Sequence, residues 1–184
     1  MKEKLLEAAE RIVQSKGFSA LTFQDIADEV GLRKPSVFHH IKNKEELALL
    51  LIERCGSKHG VDYEQVVGRR LPAPDKLRQI ANIFERGLLE DRLCLIASIS
   101  HGAAMLSDHA RKALQDASST TITLFARVFE QGRKEGTLTF EGSNYDAALC
   151  FFAMLQGLQS LARASNNTSS FGNATDTYIN SISN

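Results

Sequence analysis

Residues 31–44, GLRKPSVFHHIKNK, concentrate positive charge in a chain that is neutral overall. The stretch contains Arg33, Lys34, Lys42 and Lys44 but no acid, whereas the 184 residues together carry 22 basic and 22 acidic side chains. Because a neutral protein has no global field that attracts polyanions, phosphate binding requires a local cationic patch of this kind. Arginine and lysine donate to phosphate oxygens, and short polar or apolar side chains can approach base edges.

Two helices are expected before this cationic stretch. Apolar residues at helical spacing predict the first helix over residues 2–15, with Gly17 at its end. Thr22 is placed to cap the second helix, since Asp25 three residues later favours the positive helix start. Gly31 then ends the second helix after about two turns.

The cationic stretch itself is expected to begin a third short helix. Pro35 suits a first helical turn because its missing N–H would have no intrahelical partner. This helix should span residues 35–41, and Asn43 should cap a fourth helix over residues 44–55. Two short helices joined by a tight glycine turn, the second of them basic, are typical of a helix-turn-helix.

Residues 4–54 resemble the N-terminal domain of the TetR family of bacterial transcriptional regulators. The resemblance lies in four segments in a fixed order: LLEAAERIVQSKGF, LTFQDIADEVGL, RKPSVFHHI and KNKEEL. The sequence departs from the family pattern at three positions. Phe38 stands where the family often has a tyrosine whose hydroxyl contacts a phosphate, Ile41 replaces the usual phenylalanine, and Arg33 stands where many members have serine.

The chemistry of the residues and the resemblance together indicate a DNA-reading surface. Its candidate residues are Thr22, Arg33, Lys34, Pro35, Ser36, Val37, His39, His40 and Lys44. Val37 or Pro35 would touch a thymine methyl group, whereas His40 either lies near a phosphate or packs against the neighbouring helix. The alternative, from charge alone, is a solvated basic loop between two core helices.

The rest of the chain is also predicted to be helical, because it has few prolines and is rich in strong helix formers. The expected fold class is all-α, with an N-terminal three-helix DNA-binding domain and a larger helical ligand-binding and dimerisation domain. Further helices are expected at 75–90, 92–106, 108–135, 143–165 and 174–183. Residues 56–73 should be a boundary and 166–173 a polar linker, and the expected domains are 1–44, a connecting helix 45–58, and 59–184.

The C-terminal part is expected, from the resemblance, to bind an effector and to form a homodimer. A pocket needs an apolar lining with few polar groups, and its candidates are Phe84, Leu88, Leu95, Ser98, Ile99, His101, Met105, Thr121, Phe125 and Phe129. The helix over 143–165 is apolar on nearly all sides until Gln156, so two of its faces need cover. Its candidate dimer residues are Phe151, Met154, Leu158 and Leu161; the alternative is a central helix of a monomer.

The three cysteines do not have the spacing of metal ligands, and neither a metal nor another cofactor is expected. Cys55, Cys94 and Cys150 are interpreted as buried reduced thiols, with a redox or electrophile sensor as the alternative. The sequence shows neither a secretory signal nor an apolar run long enough for a membrane span, so a cytoplasmic protein is expected.

The resemblance implies a ligand-responsive DNA-binding transcriptional regulator. It should be a repressor that binds a palindromic DNA operator as a homodimer and is released by a small organic effector. An enzyme is not expected, because the sequence contains no P-loop, dinucleotide turn or recognisable nucleophile motif. The alternative function is a helical protein-interaction module that does not bind DNA.

Overall fold

The computed structural model describes all 184 residues and contains ten α-helices and no β-strand, which confirms the all-α fold class. A single antiparallel bridge joins Leu138 to Ser183. The helices are α1 Lys2–Lys16, α2 Phe23–Val30, α3 Lys34–Phe38, α4 Lys44–Arg54, α5 Val61–Gly68, α6 Ala73–Leu89, α7 Leu95–Ser100, α8 Asp108–Glu135, α9 Asn144–Ala164 and α10 Ser169–Ile182. A π-helical turn, Cys55–Gly60, follows α4, and a 3-10 turn, Ala103–Met105, follows α7. No helix combines the length and the apolar character that a membrane span requires.

The chain forms two compact units, and each is built from two separate segments. The first comprises Met1–Ser57 and Cys94–Ser118, and the second comprises Lys58–Leu93 and Ser119–Asn184. The N-terminal helices therefore share a unit with α7 and the first part of α8, although a long stretch of sequence lies between them. The predicted domains 1–44, 45–58 and 59–184 divide the chain by function and stay a prediction.

The first unit is held together by the apolar side of α1. This helix packs on α2, α4 and α7, and its residues Leu5, Ala9 and Val13 are fully buried. A buried ion pair reinforces the packing of α4, because Arg54 Nε donates to Glu10 Oε2 at 2.8 Å and Nη1 donates to Glu3 Oε1 at 2.5 Å. The end of α4 is thereby fixed to α1.

The second unit has an aromatic core to which α5, α6, α8, α9 and α10 contribute. Tyr63 lies edge-on to Phe125, with ring centroids 5.1 Å apart, and Phe125 lies edge-on to Phe152 at 5.7 Å. Phe151 contacts Phe129 at 5.9 Å in the same manner. Such edge-to-face pairs stabilise a core beyond the burial of their area.

Several predicted helix starts are confirmed by side-chain caps. Asn43 Oδ1 accepts a hydrogen bond from the backbone N–H of Glu46 at 2.8 Å, so it caps α4 as predicted. Ser143 caps α9 by accepting from the N–H of Asp146 at 3.0 Å. The prediction was wrong for two segments: residues 61–68 form α5 inside the expected boundary, and most of the expected linker 166–173 belongs to α10.

Candidate nucleic-acid interface

The helix α2 starts at a complete capping box. Thr22 Oγ1 accepts from the N–H of Asp25 at 3.1 Å, while the N–H of Thr22 donates to Asp25 Oδ2 at 2.8 Å. The Thr22 hydroxyl also donates to the same carboxylate at 2.7 Å. The two hydrogen bonds that Thr22 donates lower the pKa of Asp25, and the bond from the hydroxyl has a larger effect than the bond from the backbone N–H. Thr22 therefore fixes the start of α2, and its hydroxyl hydrogen is already donated within the protein.

The turn between α2 and α3 depends on Gly31. Its φ of 70° and ψ of 33° lie in the left-handed region, which other residues enter at a cost. The N–H of Leu32 then closes the turn by donating to the carbonyl of Ala27 at 2.8 Å. The chain reverses within three residues, so α3 follows α2 as the second helix of a helix-turn-helix.

The first residues of α3 and the residue before it are exposed. Arg33, Lys34 and Pro35 lie at the surface, and neither cationic side chain has a hydrogen-bond or ion-pair partner within the chain. Lys42 is also exposed and its ammonium has no partner. Lys42 was missing from the candidate residues, although it lies in the same acid-free stretch and could have been included on that basis.

The short length of α3 decides which of its residues can reach a ligand. Val37 is fully buried and cannot touch a thymine methyl group, so only the exposed Pro35 remains of the two residues predicted for that contact. A five-residue helix packed on α2 must turn one side chain inward, and Val37 is that residue. Ser36 and His40 are half-buried and His39 is exposed. Phe38 is 41% exposed and stacks on Phe23 with ring centroids 4.6 Å apart.

Lys44 is held within the first unit. Its Nζ donates to the carbonyl oxygen of Ser19 at 3.0 Å and lies 5.3 Å from the centroid of the Phe18 ring. The backbone N–H of Phe18 in turn donates to the carbonyl oxygen of Ser98 in α7 at 3.3 Å. The loop before α2 is thus connected to the start of α4 on one side and to α7 on the other.

Comparison with known proteins agrees with this geometry. A family profile described as bacterial regulatory proteins, tetR family, matches residues 5–51. The probable HTH-type transcriptional regulator ArpR of Pseudomonas putida is 27% identical over 169 residues, which cover 84% of this chain and 76% of ArpR. The N-terminal part of the chain is therefore that of a TetR-family regulator.

Solved structures of TetR-family proteins share the fold. A TetR-family regulator from Agrobacterium tumefaciens has a TM-score of 0.91 at 20% identity, covering 100% of this chain and 97% of that protein. AibR, solved in complex with isovaleryl coenzyme A and operator DNA, has a TM-score of 0.69 at 19% identity and covers 86% of this chain and 85% of its own. The chain therefore has the TetR fold, with an N-terminal helix-turn-helix domain followed by a larger helical part. The matched family profile and the regulators among its relatives support a DNA-binding transcriptional regulator.

The effector candidates fall into both units of the chain. Phe84, Leu88, Thr121, Phe125 and Phe129 belong to the buried part of the second unit, and Leu95, Ser98 and Ile99 to that of the first. His101 is exposed and Met105 is 59% exposed. Both follow the end of α7 at the surface, so they do not line an apolar interior. Met105 is thereby excluded from the predicted lining, and His101 has the surface position that was the alternative to a role in the pocket.

The dimer candidates on α9 also require one correction. Phe151 is fully buried and contacts Phe125, Phe129 and Tyr178 within its own chain. It is therefore unavailable to a partner. Met154 and Leu158 are half-buried, and Leu161 is 67% exposed.

The cysteines differ from one another in exposure, and none of the three forms a disulfide. Cys55 is buried, as expected, and burial is the main cause of the raised pKa of its thiol. Cys94 is half-buried. Cys150 is exposed on α9, so the prediction of a buried thiol was wrong there.

Proposed function

We propose that this protein is a ligand-responsive repressor that binds a palindromic operator as a homodimer in the cytoplasm. The observation that carries the proposal is the unpaired positive charge around α3. Arg33, Lys34 and Lys42 are exposed, have no partner within the chain, and lie in a stretch without acids. Phosphate contacts of this kind position a reading helix, and contacts to base edges then supply specificity.

The residues of the helix-turn-helix divide into two roles under this proposal. Arg33, Lys34 and Lys42 contact phosphates, while Pro35, Ser36 and His39 lie at base edges in the major groove. His40, which is half-buried, supports the helix from its side. Thr22 and Lys44 are positioning residues, because the internal bonds of the Thr22 hydroxyl and the Lys44 ammonium fix the starts of α2 and α4.

The proposed dimer uses the exposed side of α9. Tyr145, Leu149 and Leu161 are all exposed on this helix, and Gly157 between them has open space in front of it. Together with the exposed Ala153 and Gly157 they occupy every fourth position from 145 to 161, and side chains four residues apart are neighbours on a helix surface. An exposed apolar stripe favours association of two copies of the chain. Two helix-turn-helix domains related by a two-fold axis then match the two halves of a palindromic operator.

The proposed effector site is in the second unit, among the apolar and aromatic candidates Phe84, Phe125 and Phe129. The buried Thr121 and Gln159 add polar groups to this interior, and Gln159 Nε2 donates to the carbonyl oxygen of Phe84 at 2.8 Å. Apolar walls with a few fixed polar groups suit a small apolar or amphipathic organic molecule. The AibR complex supports the proposal, since that protein was solved with both an acyl coenzyme A and operator DNA.

We propose that the effector releases the operator through a population shift. The effector binds more tightly to one arrangement of the two helix-turn-helix domains of the dimer. The proposed lever is α4. Within the first unit this helix is tied at both ends, because Lys44 and Glu45 contact Ser19 and Ser107 at its start and Arg54 contacts α1 at its end. A displacement of α4 therefore carries the helix-turn-helix with it.

The test is operator binding by the full-length protein, measured on fragments of the region upstream of its own gene at two salt concentrations. An Arg33→Ala, Lys34→Ala double variant is compared with an Arg86→Ala, Lys112→Ala double variant, which removes the same charge elsewhere. We expect a saturable, salt-sensitive complex that only the first variant loses. If neither these fragments nor a random-sequence selection yields a complex with the folded protein, the interaction-module alternative replaces this proposal.

A further inference from the structure

The second unit contains a cationic groove that DNA reading and the proposed effector site do not use. It is open to solvent and has a volume of about 620 Å³. The loop between α5 and α6, Arg69–Pro72, forms one side, and Gln131, Glu135 and Thr137, at and just beyond the end of α8, form the other. All of these residues belong to the second unit, so the groove is complete within it.

Two consecutive arginines lie on one side of the groove. Arg70 is exposed and has no hydrogen-bond or ion-pair partner within the chain. The guanidinium of Arg69 is held in place, because its Nη1 donates to Gln79 Oε1 at 2.6 Å, and no other hydrogen bond engages the guanidinium. A guanidinium with free N–H groups offers a planar pair of donors that fits two oxygens of an oxyanion.

Behind the groove lies a buried lysine without a bonded carboxylate. Lys76 is 5% exposed, and its Nζ donates to the carbonyl oxygen of Val67 at 2.6 Å and to Gln131 Oε1 at 2.7 Å. Both acceptors are neutral. Burial lowers the pKa of Lys76, the charge of Glu135 partly offsets this, and the charge of Arg127 adds to it. Since buried charges are normally paired, Lys76 leaves a positive charge here without a bonded counterion.

Gln131 connects this lysine to the groove. Its Oε1 accepts from Lys76, and its Nε2 donates to the carbonyl oxygen of Leu71 at 2.9 Å and to Glu135 Oε1 at 2.7 Å. The amide of Gln131 is thereby fixed across the groove, one hydrogen bond away from the buried ammonium. Glu135 is the one acid that lines the groove, and it faces the positive charges of Arg69, Arg70 and Lys76.

The start of α6 adds to the positive potential. The 17-residue helix begins at Ala73, directly after the loop, and no side chain caps its first turn. Asp75 in that turn is paired with Arg78 at 3.2 Å. The positive end of the helix dipole therefore lies next to the two arginines and is not neutralised by a cap.

We propose that this groove binds a phosphate group, either as inorganic phosphate or as part of a phosphorylated metabolite. The guanidinium groups of Arg69 and Arg70 hold its oxygens, and the ammonium of Lys76 is its buried counter-charge. Three cationic side chains against one carboxylate leave an excess of two positive charges. This excess matches the charge of about −1.5 to −2 that a phosphate monoester carries at pH 7.

The test is isothermal titration calorimetry of the full-length protein without DNA, at constant ionic strength. Inorganic phosphate and adenosine 5′-monophosphate are the two probes. We expect saturable binding that Arg70→Ala weakens at least tenfold, while Arg86→Ala, which replaces an exposed arginine without a partner on α6, leaves it unchanged. Equal affinity for the two probes would show that the groove recognises the phosphate group alone. Tighter binding of the nucleotide would show that the ligand is a phosphorylated metabolite. Both results support the site.

Absence of saturable binding to either probe, or equal binding by wild type and Arg70→Ala, overturns the proposal. Arg70 is exposed, so its replacement does not threaten the fold. A second variant, Lys76→Met, keeps the aliphatic stem and removes the charge. The rise in thermal midpoint that phosphate gives the wild-type protein should be absent in Lys76→Met, and an undiminished rise would exclude Lys76 as the counter-charge.

Discussion

Lys44 is bonded to Ser19, across 25 positions of sequence: its ammonium donates to the Ser19 carbonyl oxygen at 3.0 Å. The same ammonium lies 5.3 Å from the centroid of the Phe18 ring. A lysine at the start of α4 is implied, by family resemblance, to lie near DNA. In this chain it joins the start of α4 to the loop before α2, so it positions the helix-turn-helix.

Lys34 and Lys44 should therefore differ in their effect on the salt dependence of operator binding. Lys34→Ala removes an exposed ammonium that contacts phosphate under the proposed function, so the slope of log affinity against log salt should fall by about 0.9 in magnitude. Lys44→Ala should weaken binding and leave that slope unchanged, because it disturbs position and not the number of phosphate contacts. Fluorescence anisotropy over a series of salt concentrations measures both. A smaller slope for Lys44→Ala would assign it a direct phosphate contact.

Because of the cap of α2, the free energy of unfolding should depend on pH in the acid range. Hydrogen bonds from Thr22 lower the pKa of Asp25 below its ordinary value of 3.8. A lowered folded-state pKa contributes stability that is present above the unfolded pKa and is lost as the pH falls through the folded pKa. Thr22→Ala should cost about 1 kcal/mol near pH 7, and the difference from wild type should shrink below about pH 4.

Urea unfolding between pH 7 and pH 2.5 measures this difference. Thr177→Ala is the matched control, because the Thr177 hydroxyl donates to the Asn173 carbonyl oxygen within α10 and not to a carboxylate. Its effect should not vary with pH. A Thr22→Ala difference that is constant over the whole range would contradict the coupling between the cap and Asp25.

Removing one partner of the buried ion pair at the end of α4 should strongly reduce the free energy of unfolding. Arg54 is 7% exposed and Glu10 2% exposed. Arg54→Ala leaves the Glu10 carboxylate buried without its cation and should cost about 3–5 kcal/mol in the free energy of unfolding. Replacing both buried partners, as Glu10→Leu with Arg54→Met, should recover much of this loss, since the carboxylate left without Arg54 is then the exposed Glu3 and no buried charge is unpaired.

A surface pair between α1 and α2 provides the control. Arg11 and Glu29 are paired at 3.1 Å, but about half of each side chain is exposed. Arg11→Ala should therefore change stability by no more than about 1 kcal/mol. Chemical unfolding of the wild type and these three variants measures each loss, and equal losses for Arg54→Ala and the double replacement would show that charge pairing is not the cause.

The helix-turn-helix could be predicted from sequence because its signals are local. Thr22 with Asp25, Gly31 and Asn43 all act within three or four residues, and the structure places each in the predicted role. The long helix α8, predicted over 108–135, has those bounds in the structure. Local caps and helical periodicity were sufficient for these elements.

The errors occurred where distant parts of the chain decide the outcome. Ser169–Ile182 is helical although its first turn is polar, because Phe171 is fully buried and anchors it. Val37 and Phe151 were assigned to binding surfaces, but both side chains are turned into the core. Periodicity identifies an apolar face and does not say which neighbour covers it. Local sequence patterns likewise could not predict that Cys94–Ser118 belongs to the same unit as the N-terminal helices.

The exposed stripe on α9 should control the oligomeric state. Leu161 is 67% exposed at the end of this stripe, and Leu89 on α6 is 65% exposed outside it. A buried charge at a dimer interface is strongly unfavourable, so Leu161→Asp should convert the dimer to a monomer and Leu89→Asp should not. Sedimentation velocity over a range of protein concentrations measures the mass of each variant. If both remain dimeric, the interface excludes the end of α9; if both become monomers, the effect is one of fold and not of a specific surface. A monomeric Leu161→Asp variant should also lose affinity for a palindromic operator, since a single helix-turn-helix domain makes half of the contacts.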